Sequence, residues 1–205
     1  EQVKLPLKYT SRVKRLLVTI YIIYLIPLIF ICLNYNECYL NIYYIIYGIL
    51  AYSNYYVVYL ANIINKPIEK CVFYYYKNKA TKKLNSMNNM NIIGITGSYG
   101  KTSSKNILSD ILNIKYNALP TPKNFNTTYG IMRTINEYLD KFTDTFIVEM
   151  GAFKVGEIKE LCDFVKPKYG IITTIGTAHL ETFGSRENIC RGKFELIESL
   201  SKDGI

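Results

Sequence analysis

This 205-residue chain lacks paired cysteines: the five it has, Cys32, Cys38, Cys71, Cys162 and Cys190, form no C-x-x-C pair. Neither a zinc site nor a disulfide framework is therefore indicated, and reduced thiols in a cytosolic setting fit the pattern. Histidine is almost missing as well. His179 is the only one, and a lone histidine is more often structural than catalytic. Acidic residues are scarce in the first half, where residues 1–91 carry three Asp/Glu against eleven Lys/Arg, while residues 92–205 carry thirteen against fourteen. Nearly all of the net charge of +9 thus belongs to the first half. Such a balance ordinarily raises nucleic-acid binding, but here the cations flank uncharged runs instead of covering one face of a folded domain. No nucleic-acid partner is expected.

Charge is absent altogether from residues 16–33, eighteen in a row. As a helix this run rises about 27 Å, close to the ~30 Å hydrocarbon thickness of a bilayer. Pro27 within it is tolerable, because a neighbouring helix or water satisfies the backbone group that it frees. After a short turn at 34–37, residues 38–64 give twenty-seven more uncharged residues, enough to cross with some tilt. Asn41, Ser53, Asn54, Asn62 and eight tyrosines in this second run leave an interfacial or buried soluble helix as the alternative, although small and polar residues also suit packing against a first span. No A-x-A-like site follows the first run, which argues against a cleaved signal peptide.

Lys4, Lys8, Arg12, Lys14 and Arg15 precede the first run, and Lys66, Lys70, Lys77, Lys79, Lys82 and Lys83 follow the second. The positive-inside rule then puts both termini on the cytoplasmic face of the membrane. Residues 1–65 read as a membrane region with two transmembrane helices, and residues 66–90 as a basic linker. That linker, with Val72, Phe73 and Tyr74 to Tyr76 among lysines, either lies along an anionic leaflet or is a plain solvated helix. "SMNNMN" reads as a loop.

From residue 91 the period changes. "NIIGIT" suits a buried parallel strand, Gly97-Ser98-Tyr99-Gly100-Lys101-Thr102-Ser103 follows, and a helical pattern then recurs at Ile107, Leu108, Ile111 and Leu112. Strand, glycine turn and helix form the context of a phosphate-binding loop: bare N–H groups and a helix N-terminus receive phosphates, the lysine neutralises them and the threonine reaches Mg²⁺. The standard G-x-x-x-x-G-K-[ST] pattern lacks its first glycine, since Ile95 stands there; the loop is the shorter G-x-x-G-K-T. Strands "TFIVEM" (145–150) and "YGIITTI" (169–175), separated by helical patterns at about 128–139 and 156–165, predict an α/β fold. Its parallel sheet has flanking helices and takes ligands at the carboxyl ends of its strands. Glu149 and His179 fall at those ends. Glu149 is a metal ligand or a solvated strand cap; Lys193, within "ENICRGKFELIESL", is by default a solvated lysine.

Together the segments "GITGSYGKTSSK", "TPKNFNTTYGIMRTI", "VEMGAFKVGEI", "GIITTIGTAHLETFGSRENI" and "GKFEL" resemble the Mur ligases, ATP-dependent amide ligases of bacterial peptidoglycan precursor synthesis. The likeness covers residues 91–205, most of the family's central ATPase domain. Met150-Gly151-Ala152 with Gly156-Glu157-Ile158 looks like the D-alanyl-D-alanine-adding (MurF) type. The resemblance implies that a muramyl-tripeptide carboxylate attacks the γ-phosphate of ATP and that D-alanyl-D-alanine displaces phosphate from the acyl phosphate. It also implies that Lys101 and the loop backbone hold the phosphates, that Thr102 and Glu149 ligate one Mg²⁺ and His179 a second, and that Lys193 is carbamylated and so becomes an anion for that metal. Asn124, Asn126 and Thr127 match an asparagine-rich segment beside ATP and the acceptor.

Two departures from the family are visible. The membrane hairpin stands where the family has a domain that grips the uridine nucleotide, so a lipid-linked acceptor becomes an alternative to a UDP-linked one. The chain starts at Glu1 and stops at "SKDGI" in mid-pattern, so a fragment lacking the C-terminal domain is expected, inactive by itself. A competing reading is a membrane-tethered nucleotide-binding scaffold or regulator; another is a ligase of the same fold using a different amine.

Overall fold

The computed structural model describes residues 9–33, 40–87 and 89–205. The chain divides into two compact units, with the boundary between Tyr74 and Tyr75.

The first unit is helical. Helix α1, Ser11–Leu33, is about 35 Å long and, among the described residues, is the one helix long and apolar enough to cross a membrane. None of its residues is buried. Helix α2, Leu40–Tyr52, is about 20 Å long, short of the hydrocarbon thickness. Helix α3 spans Asn54–Asn85 with Pro67 inside it. The uncharged run expected as one span at 38–64 is thus divided at Ser53, and α3 continues well past residue 64 through the basic stretch. Local polar side chains account for the break: Ser53 Oγ donates to the Leu50 carbonyl at 3.3 Å, and such bonds compete with the helical ladder. Residues 38 and 39, the turn 34–37 and Asn88 of the expected loop lie outside the described residues. Antiparallel pairs join α1 to α3. Arg15 contacts Glu69 at 2.7 Å, and the Asn65 amide donates to Thr19 Oγ1 at 2.8 Å. The line Val57, Ala61, Asn65 on α3 is buried, and Ala61 at its centre permits close helix approach.

The second unit is an α/β sandwich. Strands β1 (Asn91–Thr96), β2 (Ala118–Pro120), β3 (Thr145–Glu149) and β4 (Tyr169–Ile172) form a parallel sheet in the order β2-β3-β1-β4. β1 and β3 are near-continuous apolar runs, as strands covered on both faces must be. Helix α4 (Lys101–Leu112) covers one face, where Leu108 and Leu112 pack on Ile95, Ala118 and Ile147. On the other face helix α8 (Arg186–Glu198) approaches β1 so closely that a Cβ on Gly94 would lie 2.7 Å from Leu196 Cδ1. Helices α5 (Thr128–Glu137), α6 (Glu157–Val165) and the single turn α7 (Leu180–Phe183) complete the unit. The end of α3 packs here too: Ala80 is fully buried and the Asn136 amide donates to the Tyr76 carbonyl at 3.1 Å. β1 leads outward to β2 while β3 leads the opposite way to β4, so the connections diverge between adjacent strands β1 and β3. That divergence opens a crevice at their carboxyl ends.

Helix α6 starts at Gly156, which has no side chain to cap it. Glu195 of α8 supplies the cap, accepting from the N–H of Gly156 at 2.6 Å and of Lys159 at 3.0 Å. The carboxylate is 7% exposed. Glu195→Ala strands two helix N-terminal donors and is expected to cost about 2 kcal/mol, read as a lower midpoint in chemical denaturation, with Glu195→Gln intermediate.

Candidate functional site

The loop between β1 and α4 bends over the crevice. Gly97 has φ +149 and a Cβ there would sit 2.1 Å from Thr173 Oγ1; Gly100 is left-handed at φ +78. Both positions demand glycine. The loop is buttressed from the segment after β4: the Ser98 N–H donates to the Thr174 carbonyl at 2.7 Å, and Thr173 Oγ1 donates to the Tyr99 carbonyl at 2.6 Å. The Gly176 N–H donates to Ser98 Oγ at 3.0 Å. Tyr99 is 58% exposed. Unlike α5 and α8, which Thr127 and Ser185 cap, α4 has no side-chain cap. Its first N–H groups, with Thr102 and Ser103 exposed on the first turn, are left for a ligand. Lys101 Nζ donates to the loop's own carbonyls, Gly97 at 2.7 Å and Ser98 at 3.3 Å. Burial lowers its pKa, and the negative charge of Glu149 partly opposes the shift.

Glu149, at the end of β3, is 2% exposed and stands at the centre of a polar junction. Its Oε2 accepts from Thr102 Oγ1 at 2.9 Å and from Lys105 Nζ at 3.0 Å. Its Oε1 accepts from the Asn126 amide at 3.2 Å, and its N–H donates to Thr121 Oγ1 at 3.1 Å. Strand register brings this about, since Glu149 lies opposite Ile95, two residues before Gly97. Lys105 is itself 1% exposed and donates to the Lys123 carbonyl at 2.7 Å. Sequence reasoning passed over Lys105, Thr121 and Thr173. The signal for Lys105 was its spacing, three residues after Thr102 and four after Lys101, which puts all three on one side of α4.

The other expected residues are placed differently. Asn124 is exposed, and the Thr127 side chain accepts from the Gly130 N–H as the α5 cap. His179 is exposed, left-handed at φ 64 before α7, and packs edge-on against Phe153 with ring centroids 4.6 Å apart. Among the described residues no group of three or more His, Cys, Asp and Glu is gathered as a ready metal site. Lys193 is 2% exposed, with Nζ 5.5 Å from the Phe183 ring centroid. Its pKa falls to about 8, chiefly through burial and next through repulsion from Lys101, against the opposing attraction of Glu157 and Glu195.

This donor set fits a nucleotide with a divalent cation. The Glu149 carboxylate and the Thr102 hydroxyl are the hard oxygen ligands that Mg²⁺ takes, and the uncapped helix with its glycine cradle is an anion site. Known proteins carry the same segments. Residues 95–205 match the family described as the Mur ligase middle domain. The UDP-N-acetylmuramoyl-tripeptide–D-alanyl-D-alanine ligase of Mycobacterium leprae is 40% identical over 114 residues, 56% of this chain and 22% of that protein. That of Bacillus subtilis is 37% identical over 114 residues, 56% of this chain and 25% of that protein. The crystal structure of MurF ligase from Thermotoga maritima in complex with ADP superposes with a TM-score of 0.60 at 34% identity, covering 63% of this chain and 30% of that one. The chain therefore spans about a quarter of the length of the curated relatives it matches.

Proposed function

Because the chain belongs to the Mur ligase middle-domain family, we propose that it is the membrane-tethered, nucleotide-binding part of an ATP-dependent amide ligase. The reaction is the one named in its relatives, the addition of D-alanyl-D-alanine to a muramyl-tripeptide. The observation that carries the reading is the junction at Glu149. It meets Thr102, the residue after the loop lysine, at 2.9 Å and Asn126, from the asparagine-rich segment, at 3.2 Å. A phosphate-binding loop and an acceptor-side segment thus converge on one carboxylate.

The loop N–H groups and Lys101 bind and orient the ATP phosphates, so that the substrate carboxylate meets the γ-phosphate in line. Thr102 and Glu149 would hold Mg²⁺, which when bound neutralises charge on the phosphates. His179 and Lys193 would hold a second ion once Lys193 is carbamylated, in which the neutral amine adds to CO₂, an N–C bond forms as one C=O π bond opens onto oxygen, and a proton leaves to solvent. The burial of Lys193 supports this, because it favours the neutral amine that carbamylation needs. Asn124, Asn126 and Thr127 line the acceptor side.

Residues 91–205 form the ATP-binding domain, 66–90 its basic linker and 1–65 the membrane region. α1 crosses the bilayer and the second apolar run returns as a span broken at Ser53, α2 followed by the apolar start of α3, which leaves both termini in the cytoplasm and the helices in contact with lipid. α1 also favours a second reading of the acceptor, a lipid-linked muramyl-peptide presented at the membrane surface.

The whole protein, given ATP, Mg²⁺, D-alanyl-D-alanine and a UDP-muramyl-tripeptide, is expected to release phosphate only when both substrates are present. Release only with a lipid-linked tripeptide selects the second acceptor. Hydrolysis that ignores both substrates would sink the ligase reading and leave a tethered nucleotide-binding scaffold.

A further inference from the structure

One carboxylate at this rim meets an excess of cations. Lys105 touches Glu149 at 3.0 Å with both side chains almost wholly enclosed, at 1% and 2% exposed. Lys101, one helical turn earlier, feels the same carboxylate, and Lys193 is near enough to Lys101 for the two to repel. The remaining acids are engaged elsewhere: Glu195 on the N-terminus of α6, and Glu157 on the Phe153 N–H at 2.7 Å.

Lys105 is a fixed countercharge rather than a passing one. Its second bond, to the Lys123 carbonyl at 2.7 Å, anchors it between the end of β3 and the segment 121–127, where Lys123 is held at φ 48. A free divalent cation arriving at Glu149 therefore finds a carboxylate already neutralised. The negative charge that would balance the metal comes with the nucleotide phosphates.

We infer that Lys105 is a positioning residue that makes divalent-cation binding at Glu149 conditional on nucleotide. Its ammonium holds the carboxylate toward Thr102 and cancels its charge, so the metal enters with the phosphates and not before them. This rests on the nucleotide-site reading above.

The test is direct Mn²⁺ binding, followed by electron paramagnetic resonance of the free ion, with and without ADP, on the full chain in detergent. The parent is compared with Lys105→Gln, which keeps a donor but loses the charge, and Lys105→Arg, which keeps the charge. The parent is expected to bind Mn²⁺ tightly only with ADP. Lys105→Gln should gain nucleotide-independent affinity by on the order of tenfold, because a full unit charge beside the ion has been removed, and its gain on adding ADP should shrink to match. Lys105→Arg should follow the parent. A purely structural lysine would lower the melting temperature of Lys105→Gln without altering that ratio, and an unaltered ratio in the folded variant overturns the proposal. So does a parent that binds Mn²⁺ equally well without ADP, a measurement that needs no variant to fold. A fluorescent ADP analogue separates the two readings: failure of the parent to bind it removes the nucleotide site itself, whereas binding with an unchanged ratio removes only the role of Lys105.

Discussion

In the whole protein Lys101→Ala is expected to lower the proposed substrate-dependent phosphate release by at least ~10³-fold, the scale on which charge stabilisation of a transferring phosphoryl group acts. The Lys101 ammonium rests on two neutral acceptors, the carbonyls of Gly97 and Ser98. Exchanging these for phosphate oxygens replaces neutral contacts with charge-assisted ones, about twice as strong. The exchange needs little movement, because donor and loop belong to the same turn. The loop itself does not depend on Lys101 for its shape: Thr173, Thr174 and Gly176 hold it through Ser98 and Tyr99. Alanine should accordingly leave the fold intact while removing the countercharge, so that ADP affinity falls and turnover falls further. Lys101→Arg should restore little, since a planar fork does not fit a site shaped for a point charge. The measurements are fluorescence titration with an ADP analogue and coupled phosphate release; activity within tenfold of the parent would remove Lys101 from the phosphate site.

The sheet was readable in the sequence wherever local pattern and burial agree. "NIIGIT" and "TFIVE" are apolar runs, and they became β1 and β3 at the centre of the sheet. β2 escaped notice because it is three residues long, too short to show a period, and ends in Pro120, which a strand tolerates at an edge such as this one, paired with β3 alone. The second apolar run looked continuous because composition does not register a helix break; the side-chain bond at Ser53 does.

The candidate site divides in the same way. Gly97, Gly100, Lys101 and Thr102 carry their geometry in their own spacing. Lys105 looks like any solvated lysine on an amphipathic helix, and what buries it arrives from residues 123 and 149, far along the chain. His179 was legible as a residue beyond β4, whereas its contact with Phe153 depends on the β3–α6 loop. Long-range packing decides such side chains, and local periodicity is blind to it.

Lys193→Met is expected to stabilise the second unit at pH 7 while abolishing the ligase activity proposed for the whole protein. The lysine is 2% exposed and its pKa is lowered to about 8, against roughly 10.4 in an unfolded chain. Between those values the unfolded state holds more protons than the folded one, so the contribution of Lys193 to stability improves as pH rises through the window. Below pH 8 the cost of the buried cation is fully present, on the order of 3 kcal/mol. Methionine has similar length and no charge, and it keeps the contact with Phe183. Chemical denaturation at pH 7 in CO₂-depleted buffer, where the parent lysine is not carbamylated, should therefore show a gain of about that size, which fades toward pH 10 as the parent lysine discharges in both states. Activity of the whole protein should move the other way if the proposed carbamylation holds, since it needs the amine that methionine lacks. In the parent only about a tenth of the amine is neutral at pH 7, so turnover should fall on exhaustive removal of CO₂ and recover with bicarbonate, sooner at pH 8 than at pH 7. A Lys193→Met variant no more stable than the parent at pH 7, with the same dependence on pH, would mean that the ammonium carries no burial cost, and the reason for expecting a reactive neutral amine at this position would be gone.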